Sequence, residues 1–353
     1  MGVMSATGTS TVEGIDMSAV TTWIIATISG VTPPLHFELI AGGRSNLTYR
    51  VTDAGGRLLA LRRPPTSHVL PTAHDMAREH AIISALGATP VPVPQALGLC
   101  RDESVNGAPF SVMSFVEGQV LRDQETADRF PEPARFDASM SLVDTLAALH
   151  DVDIDAVGLG GLARRDGYLA RQLKRWHAQF TQSTVDGQPG PSIIDRVHEL
   201  LVAAMPEQQG ASIVHGDYRL DNTILDDQGN VQAVLDWELC TLGDPLADLG
   251  ILLVYWSEPT DEDLPALGGA PTAAPGFASR DELLARYAER SNRDLSAVPY
   301  YRAFGYWKVA CIVQGVQARY AGGASAGDRS NVDRFGEQVI SLGERALAEV
   351  GSL

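Results

Sequence analysis

Three cysteines in 353 residues, Cys100, Cys240 and Cys311, stand far apart and in no C-x-x-C spacing. They offer no material for a disulfide framework or a cysteine-rich zinc site, so the chain is expected to be reduced and cytoplasmic. Basic charge is also scarce. Lysines and arginines number 27 against 44 aspartates and glutamates, a formal net charge of −17, which excludes a nucleic-acid binder that must neutralise phosphates with basic surface. Long apolar runs are missing: "LGILLVYW" (249–256) is far short of a membrane span. The first residues lack a basic segment followed by an apolar core, and Ala6 stands where a myristoylation signal needs Ser or Thr. Repeats and low-complexity tracts are absent too. What is left is an ordinary globular composition, 44% apolar and 20% charged, in a chain long enough for one large domain or two lobes. Neither a membrane nor an obligate protein partner is implied.

Along the chain the hydrophobic period changes once. Residues 1–14 are small and polar and are expected to be disordered, with a short helix after them that starts at Asp16 and turns Val20, Trp23, Ile24 and Ile28 to one side. Period two then takes over: "HFELIA" (36–41), "LTYRV" (47–51) and "LLALR" (58–62) read as strands, the last two joined by a turn at 53–56. A helix from about Ala73 to Leu86, closed by Gly87, precedes two more strands, "ALGLC" and "FSVMSF". From Gly118 onward the pattern is helical, at about 134–150, 166–183, 192–205, 246–257, 280–291, 299–320 and 331–349. The extended stretch from Ile213 to Leu235 interrupts it, with a hairpin around Gly229. The fold class is therefore α+β: a tail and helix (1–34), a small β-rich N-lobe with one main helix (35–113), a hinge (114–118) with a cleft beside it, and a larger, mostly helical C-lobe (119–353).

The polar residues concentrate in "IVHGDYRLDNTIL" (213–225), which contains H-x-D-x-x-x-x-N as His215, Asp217 and Asn222, with Asp236 following at the end of "AVLD". In phosphoryl transfer a loop aspartate receives a hydroxyl proton, while an asparagine five positions on and a later strand-edge aspartate hold magnesium. Asp217, Asn222 and Asp236 suit those three roles. A buried Asp–Asn network capping loop turns is the alternative. A metallohydrolase reading fits less well, because no second histidine pair lies nearby.

With "AVLDWELCTLGDPLADLG" beside it, this segment resembles the aminoglycoside phosphotransferase (APH)-type family of small-molecule kinases, which has a two-lobed protein-kinase-like fold. The similarity extends over roughly residues 35–320. "LRRPP" (61–65), "RQLKRW" (171–176) and Asp236-Trp237-Glu238 are similar to the branch found fused to acyl-CoA dehydrogenase domains in animals and free-standing in bacteria. The resemblance implies ATP and Mg2+ as cofactors and a small-molecule hydroxyl as acceptor.

Further parts follow. "AGGRSNLTYRV" places Gly42, Gly43, Ser45 and Asn46 in the first turn of the β lobe, where backbone N–H groups cover phosphates. Leu59-Ala60-Leu61-Arg62 ends the third strand with a cation for the α/β-phosphates, an arginine where the wider family has lysine. Glu79 shares the apolar helix face of Met76 and Ile83, so it needs a cation, and Arg62 is the candidate. In "VMSFV" (112–116) the resemblance gives Met113 to the adenine pocket and the exposed backbone of Ser114 and Val116 to the adenine edge. Arg219 either stabilises charge on the transferred phosphate or forms a salt bridge to Asp221 or Asp248. Asp248 is expected to face inward and accept from the catalytic-loop backbone.

"WELCTLGDP" (237–245) leaves no room for a long activation segment, so a small-molecule acceptor is expected rather than a peptide. Arg171, Lys174 and Arg175 fall on one helical face, either solvated or forming a site for an anionic acceptor such as a hydroxy acid or hydroxyacyl-CoA. The acidic "SEPTDED" (257–263) suits instead a polycationic aminoglycoside, while the aromatic-rich 300–320 stretch suggests an acceptor with apolar bulk. A third reading, suggested by Arg62, is a non-catalytic nucleotide-binding module.

Overall fold

The computed structural model describes residues 12–41, 46–66, 75–188, 190–262, 264, 267, 269–322 and 331–351. The chain divides into two compact units, Met1–Ala88 with Val93–Val116, and Thr89–Pro92 with Glu117–Leu353.

The first unit opens with α1 (Met17–Thr27), capped by the Asp16 carboxylate, which accepts from the Ser18 and Ala19 N–H groups. Residues 12–14 are held rather than disordered. Tyr49 Oη donates to the Glu13 carbonyl at 2.6 Å, and an Arg63 guanidinium N–H reaches the Gly14 carbonyl. Strands β1 (His36–Ala41), β2 (Leu47–Thr52), β3 (Leu58–Arg63), β4 (Ala96–Cys100) and β5 (Phe110–Ser114) form one antiparallel sheet in the order β1-β2-β3-β5-β4. Burial alternates along β2 and β3, as period two requires of a sheet with one covered face. That face packs on α1, bringing Val20 and Ile24 into one core with Tyr49, Leu61 and Val112. Helix α2 (Met76–Leu86) starts at Asp75, which caps the Ala77 and Arg78 N–H groups. The expected first residues of this helix, from Ala73, lie outside the described residues, as do Gly42, Gly43 and Ser45. A single turn of helix, α3 (Glu103–Asn106), links β4 to β5.

The second unit holds α4 (Gln124–Arg129), α5 (Glu132–His150), α6 (Tyr168–Gln182) and α7 (Ser192–Ala203) before its short strands begin. Strands β6 (Ser212–Val214) and β9 (Thr241–Gly243) pair antiparallel, as do β7 (Thr223–Leu225) and β8 (Val231–Val234), whose hairpin turns at Gly229. After β9 come α8 (Leu246–Tyr255), α9 (Arg280–Arg290), α10 (Val298–Ala321) and α11 (Asn331–Val350). Helices α8 and α10 are buried on nearly every side, as their lack of a polar face demands. They touch at glycines. A Cβ on Gly250 would stand 2.5 Å from the Tyr301 carbonyl oxygen, and one on Gly305 would stand 2.9 Å from Val254 Cγ2. This contact sets the floor beneath the loop between β6 and β7.

Candidate active site

Two loops of the second unit carry the polar cluster. One leaves β6 at Val214 and enters β7 at Thr223; the other leaves β8 at Val234 and enters β9 at Thr241. They are tied directly: the Leu235 N–H donates to the Asn222 carbonyl at 2.8 Å, and His215 Nε2 donates to the Leu235 carbonyl at 2.8 Å. His215 Nδ1 in turn accepts from the Asp217 N–H at 3.3 Å. These bonds fix the histidine as the neutral Nε2–H tautomer, bridging the loop of Asp217 to the residue before Asp236.

The backbone on either side of Asp217 is held at each step. Asp248, fully buried on α8, accepts the His215 and Gly216 N–H groups at 2.6 and 2.8 Å. Asn222 Nδ2 donates to the Asp217 carbonyl at 2.8 Å and to its carboxylate at 3.0 Å. Tyr218 Oη reaches the Leu142 carbonyl at 2.8 Å. The Asp217 side chain nonetheless keeps 28% of its surface exposed. A carboxylate fixed at its root and open at its tip can receive a proton.

Burial alone would raise the Asp248 carboxyl; its bond to His150 and those from the loop backbone outweigh this and hold it below the usual range. His150 is pushed down by its own burial and stays neutral, with Nδ1 on Tyr287 Oη at 2.7 Å. Of the two salt bridges open to Arg219, that to Asp221 is formed, at 2.9 Å, together with one to Asp217 at 3.3 Å. The guanidinium also lies 4.6 Å from the Tyr255 ring centroid. Burial works to lower the Arg219 value, but Asp217, Tyr255 and Asp221 hold it above its ordinary one. Asp221 is pushed up to about 6, chiefly by burial. A partly open recess beside Arg219 is lined by Arg122, Asp221 and Tyr255.

Asp236 follows β8 in a left-handed conformation (φ 62°) and starts the turn Trp237–Leu239, so the chain reverses at this residue. Asn222 lies on the adjoining loop, tied to this one by the Leu235–Asn222 backbone bond; an amide oxygen and a carboxylate are the hard donor types that Mg2+ takes.

In the first unit, Arg62 and Glu79 form an ion pair of 2.9 Å, with side chains 12% and 3% exposed. Asn46, at the start of β2, is buried. Met113 is buried on β5, and Val116 is half-buried beyond the strand end. The Ser114 N–H donates to the Gln95 carbonyl at 2.9 Å while the Ser114 Oγ accepts from the Gln95 N–H at 2.9 Å, an extra ladder contact beside β4 that engages the N–H and not the Ser114 carbonyl.

The basic trio on α6 does not converge on one pocket. Arg171 is turned back onto the carbonyls of Arg164, Asp166 and Leu242, Arg175 lies over the Trp176 ring, and Lys174 lines a groove of about 510 Å³ with His177 and His198. Of the acids of 257–263, Glu258 and Asp261 form ion pairs with Arg280 and Glu262 with Arg345, while Asp263 lies outside the described residues. The aromatic rings of Tyr300, Tyr301, Phe304 and Trp307 are core, not an acceptor surface. Lys308 escaped sequence reasoning. It is 4% exposed and donates to the Gly216 carbonyl at 2.5 Å; Arg302 and Arg319 share its helix, so nothing in the sequence sets it apart.

A model of the APH phosphotransferase enzyme family matches residues 36–292. Acyl-CoA dehydrogenase family member 10 of Mus musculus is 33% identical over 326 residues, 88% of this chain but 29% of that protein, so the chain spans less than a third of that relative. A candidate aminoglycoside phosphotransferase of Ralstonia eutropha is 30% identical, with a TM-score of 0.80 over 96% of this chain and 98% of its own. An amicoumacin kinase solved with AMP-PNP, Ca2+ and its antibiotic shares the kinase-like fold at 16% identity, with a TM-score of 0.58 over 93% of this chain and 94% of its own.

Proposed function

Since this chain belongs to the APH phosphotransferase enzyme family, we propose that it transfers the γ-phosphoryl group of ATP to a hydroxyl of a small molecule, a hydroxy acid or its acyl thioester. The observation that carries this reading is Asp217, with its backbone clamped from both sides and its carboxylate open. Asp217 orients the acceptor hydroxyl and takes its proton. Asn222, whose amide nitrogen is engaged by Asp217, would hold the metal through its oxygen, together with Asp236. When bound, Mg2+ neutralises charge on the phosphates. Arg62, oriented by Glu79, binds the α/β-phosphates as a planar fork with permanent charge. Arg219, fixed by Asp221 and Tyr255, places positive charge beside the transferred group. Positioning and charge neutralisation supply most of the rate, since phosphoryl transfer asks for little covalent chemistry from the protein.

The acyl acceptor class is favoured over aminoglycosides by two observations. Glu258, Asp261 and Glu262 of the acidic stretch are already paired with Arg280 and Arg345, and a relative that matches 88% of this chain is named for acyl-CoA dehydrogenase. The test is transfer of label from γ-labelled ATP, with Mg2+, across panels of hydroxy acids, hydroxyacyl thioesters and aminoglycosides. Label on a hydroxyacyl compound is expected. Label on aminoglycosides alone would overturn the acceptor class, and ATP binding without transfer to any compound would overturn the enzyme reading.

A further inference from the structure

Lys308 lies in the middle of α10, among residues buried on nearly every side. Its ammonium meets a carbonyl and a ring: it donates to Gly216 O at 2.5 Å and stands 5.5 Å from the centroid of Trp176 on α6. Burial holds its value below the ordinary one, against the opposing pull of the Asp217 and Asp248 carboxylates. Burying an ammonium at such a place is expensive, and an apolar side chain would fill it without that cost. The position of its hydrogen bond suggests what the charge is for.

Gly216 has φ +86°, and a Cβ there would stand 2.9 Å from the Leu239 carbonyl oxygen. The loop thus passes this point in a conformation that other residues resist. Its two sides are held by different helices: the N–H by Asp248 of α8, the carbonyl by Lys308 of α10. The Gly216–Asp217 peptide plane is pinned at its oxygen by Lys308 and, more weakly, at its N–H by His215 Nδ1 at 3.3 Å. A charge-assisted bond is the stronger of the two.

We propose that Lys308 is a positioning residue of the phosphotransfer site, which fixes the direction of the Asp217 side chain by holding the Gly216 carbonyl. The inference rests on the reading of Asp217 as the acceptor-facing carboxylate. Lys308 acts through the loop and touches neither nucleotide nor acceptor. Its removal therefore slows turnover without weakening ATP binding.

The test compares the full chain with Lys308→Met, which keeps the length and loses the donor, and Lys308→Gln, which is neutral but can still donate. The probe is Mg·ATP with water as acceptor, read as kcat and KM, alongside amide hydrogen exchange over 213–222. Lys308→Met is expected to lose about a hundredfold in kcat, the cost of misplacing a catalytic group by roughly an ångström, with the KM for ATP within about twofold. Lys308→Gln is expected to recover most of that loss, and exchange at Gly216 and Asp217 should quicken at least about tenfold in the Met variant. If Lys308→Met does not fold, Lys308→Gln carries the comparison: close to wild-type kcat and exchange supports the hydrogen-bond role, and a full loss overturns it. Wild-type kcat in Lys308→Met, or a rise in KM alone, also overturns the inference. A wild type that hydrolyses no ATP counts against the phosphotransferase reading instead. The exchange rates then decide on Lys308, and unchanged exchange overturns its role.

Discussion

Glu79 is a carboxylate turned to an apolar helix face, and that orientation determines much of what Arg62 must do. At 3% exposure the carboxylate is paired with the guanidinium 2.9 Å away, and removing one member of a buried pair is strongly destabilising. Arg62→Met should therefore destabilise the first unit by about 3–5 kcal/mol, the usual cost of breaking such a pair. A urea titration followed by the tryptophan signal of Trp23 checks this, and a midpoint equal to wild type would contradict it. Arg62→Lys keeps the charge and loses the planar fork, so its effect should fall on the KM for ATP more than on stability. The Arg62–Glu79 pairing could be read from the sequence, because Glu79 falls in register with Met76 and Ile83. The bond from the Ser114 N–H to the Gln95 carbonyl could not be read there, because Gln95 reaches it through sheet register rather than local pattern.

Asp248 is the one acidic side chain on α8, and it links that helix to the loop of Asp217. Its folded value lies below the unfolded one, so its stabilising contribution is present above the ordinary aspartate range and is lost as pH falls through the folded value. Asp248→Asn replaces one acceptor with an N–H donor facing a backbone N–H. It should cost about 2–3 kcal/mol, the range for hydrogen bonds to a charged group. The variant should also lose stability less steeply than wild type below about pH 4, near the reference aspartate value. Denaturant midpoints at pH 7 and pH 3.5 measure both; equal slopes for the two proteins would show that Asp248 carries no linkage. The long elements were legible because their periods are sustained, as in the five strands and the run of helices from α5 to α11. The elements missed were too brief to show a period. Helix α3 is one turn, α4 has six residues, and β9 is three residues paired with a strand far back in sequence. Lys308 was hidden for the opposite reason, since a helix buried on all sides has no polar face to set a cation apart.

The chain divides into a sheet-based unit and a helical unit, and the sequence carries a net charge of −17, with 27 basic residues against 44 acidic ones. Many of those basic residues stand in ion pairs, among them Arg62 with Glu79, Arg219 with Asp217 and Asp221, and Arg280 with Glu258 and Asp261. Among the described residues no helix is long and apolar enough to cross a membrane. The mouse relative contains this chain in less than a third of its length, so the acceptor class is a property to be measured on this chain itself. The most direct measurement is single-turnover transfer from γ-labelled ATP by the full chain and by Asp217→Ala, paired with calorimetric ATP titrations. Transfer should fall by about a thousandfold, within the range for loss of a general base, while the ATP dissociation constant stays within about twofold. Transfer within about tenfold of wild type, a drop too small for a general base, would remove Asp217 from the reaction and with it the proposed mechanism.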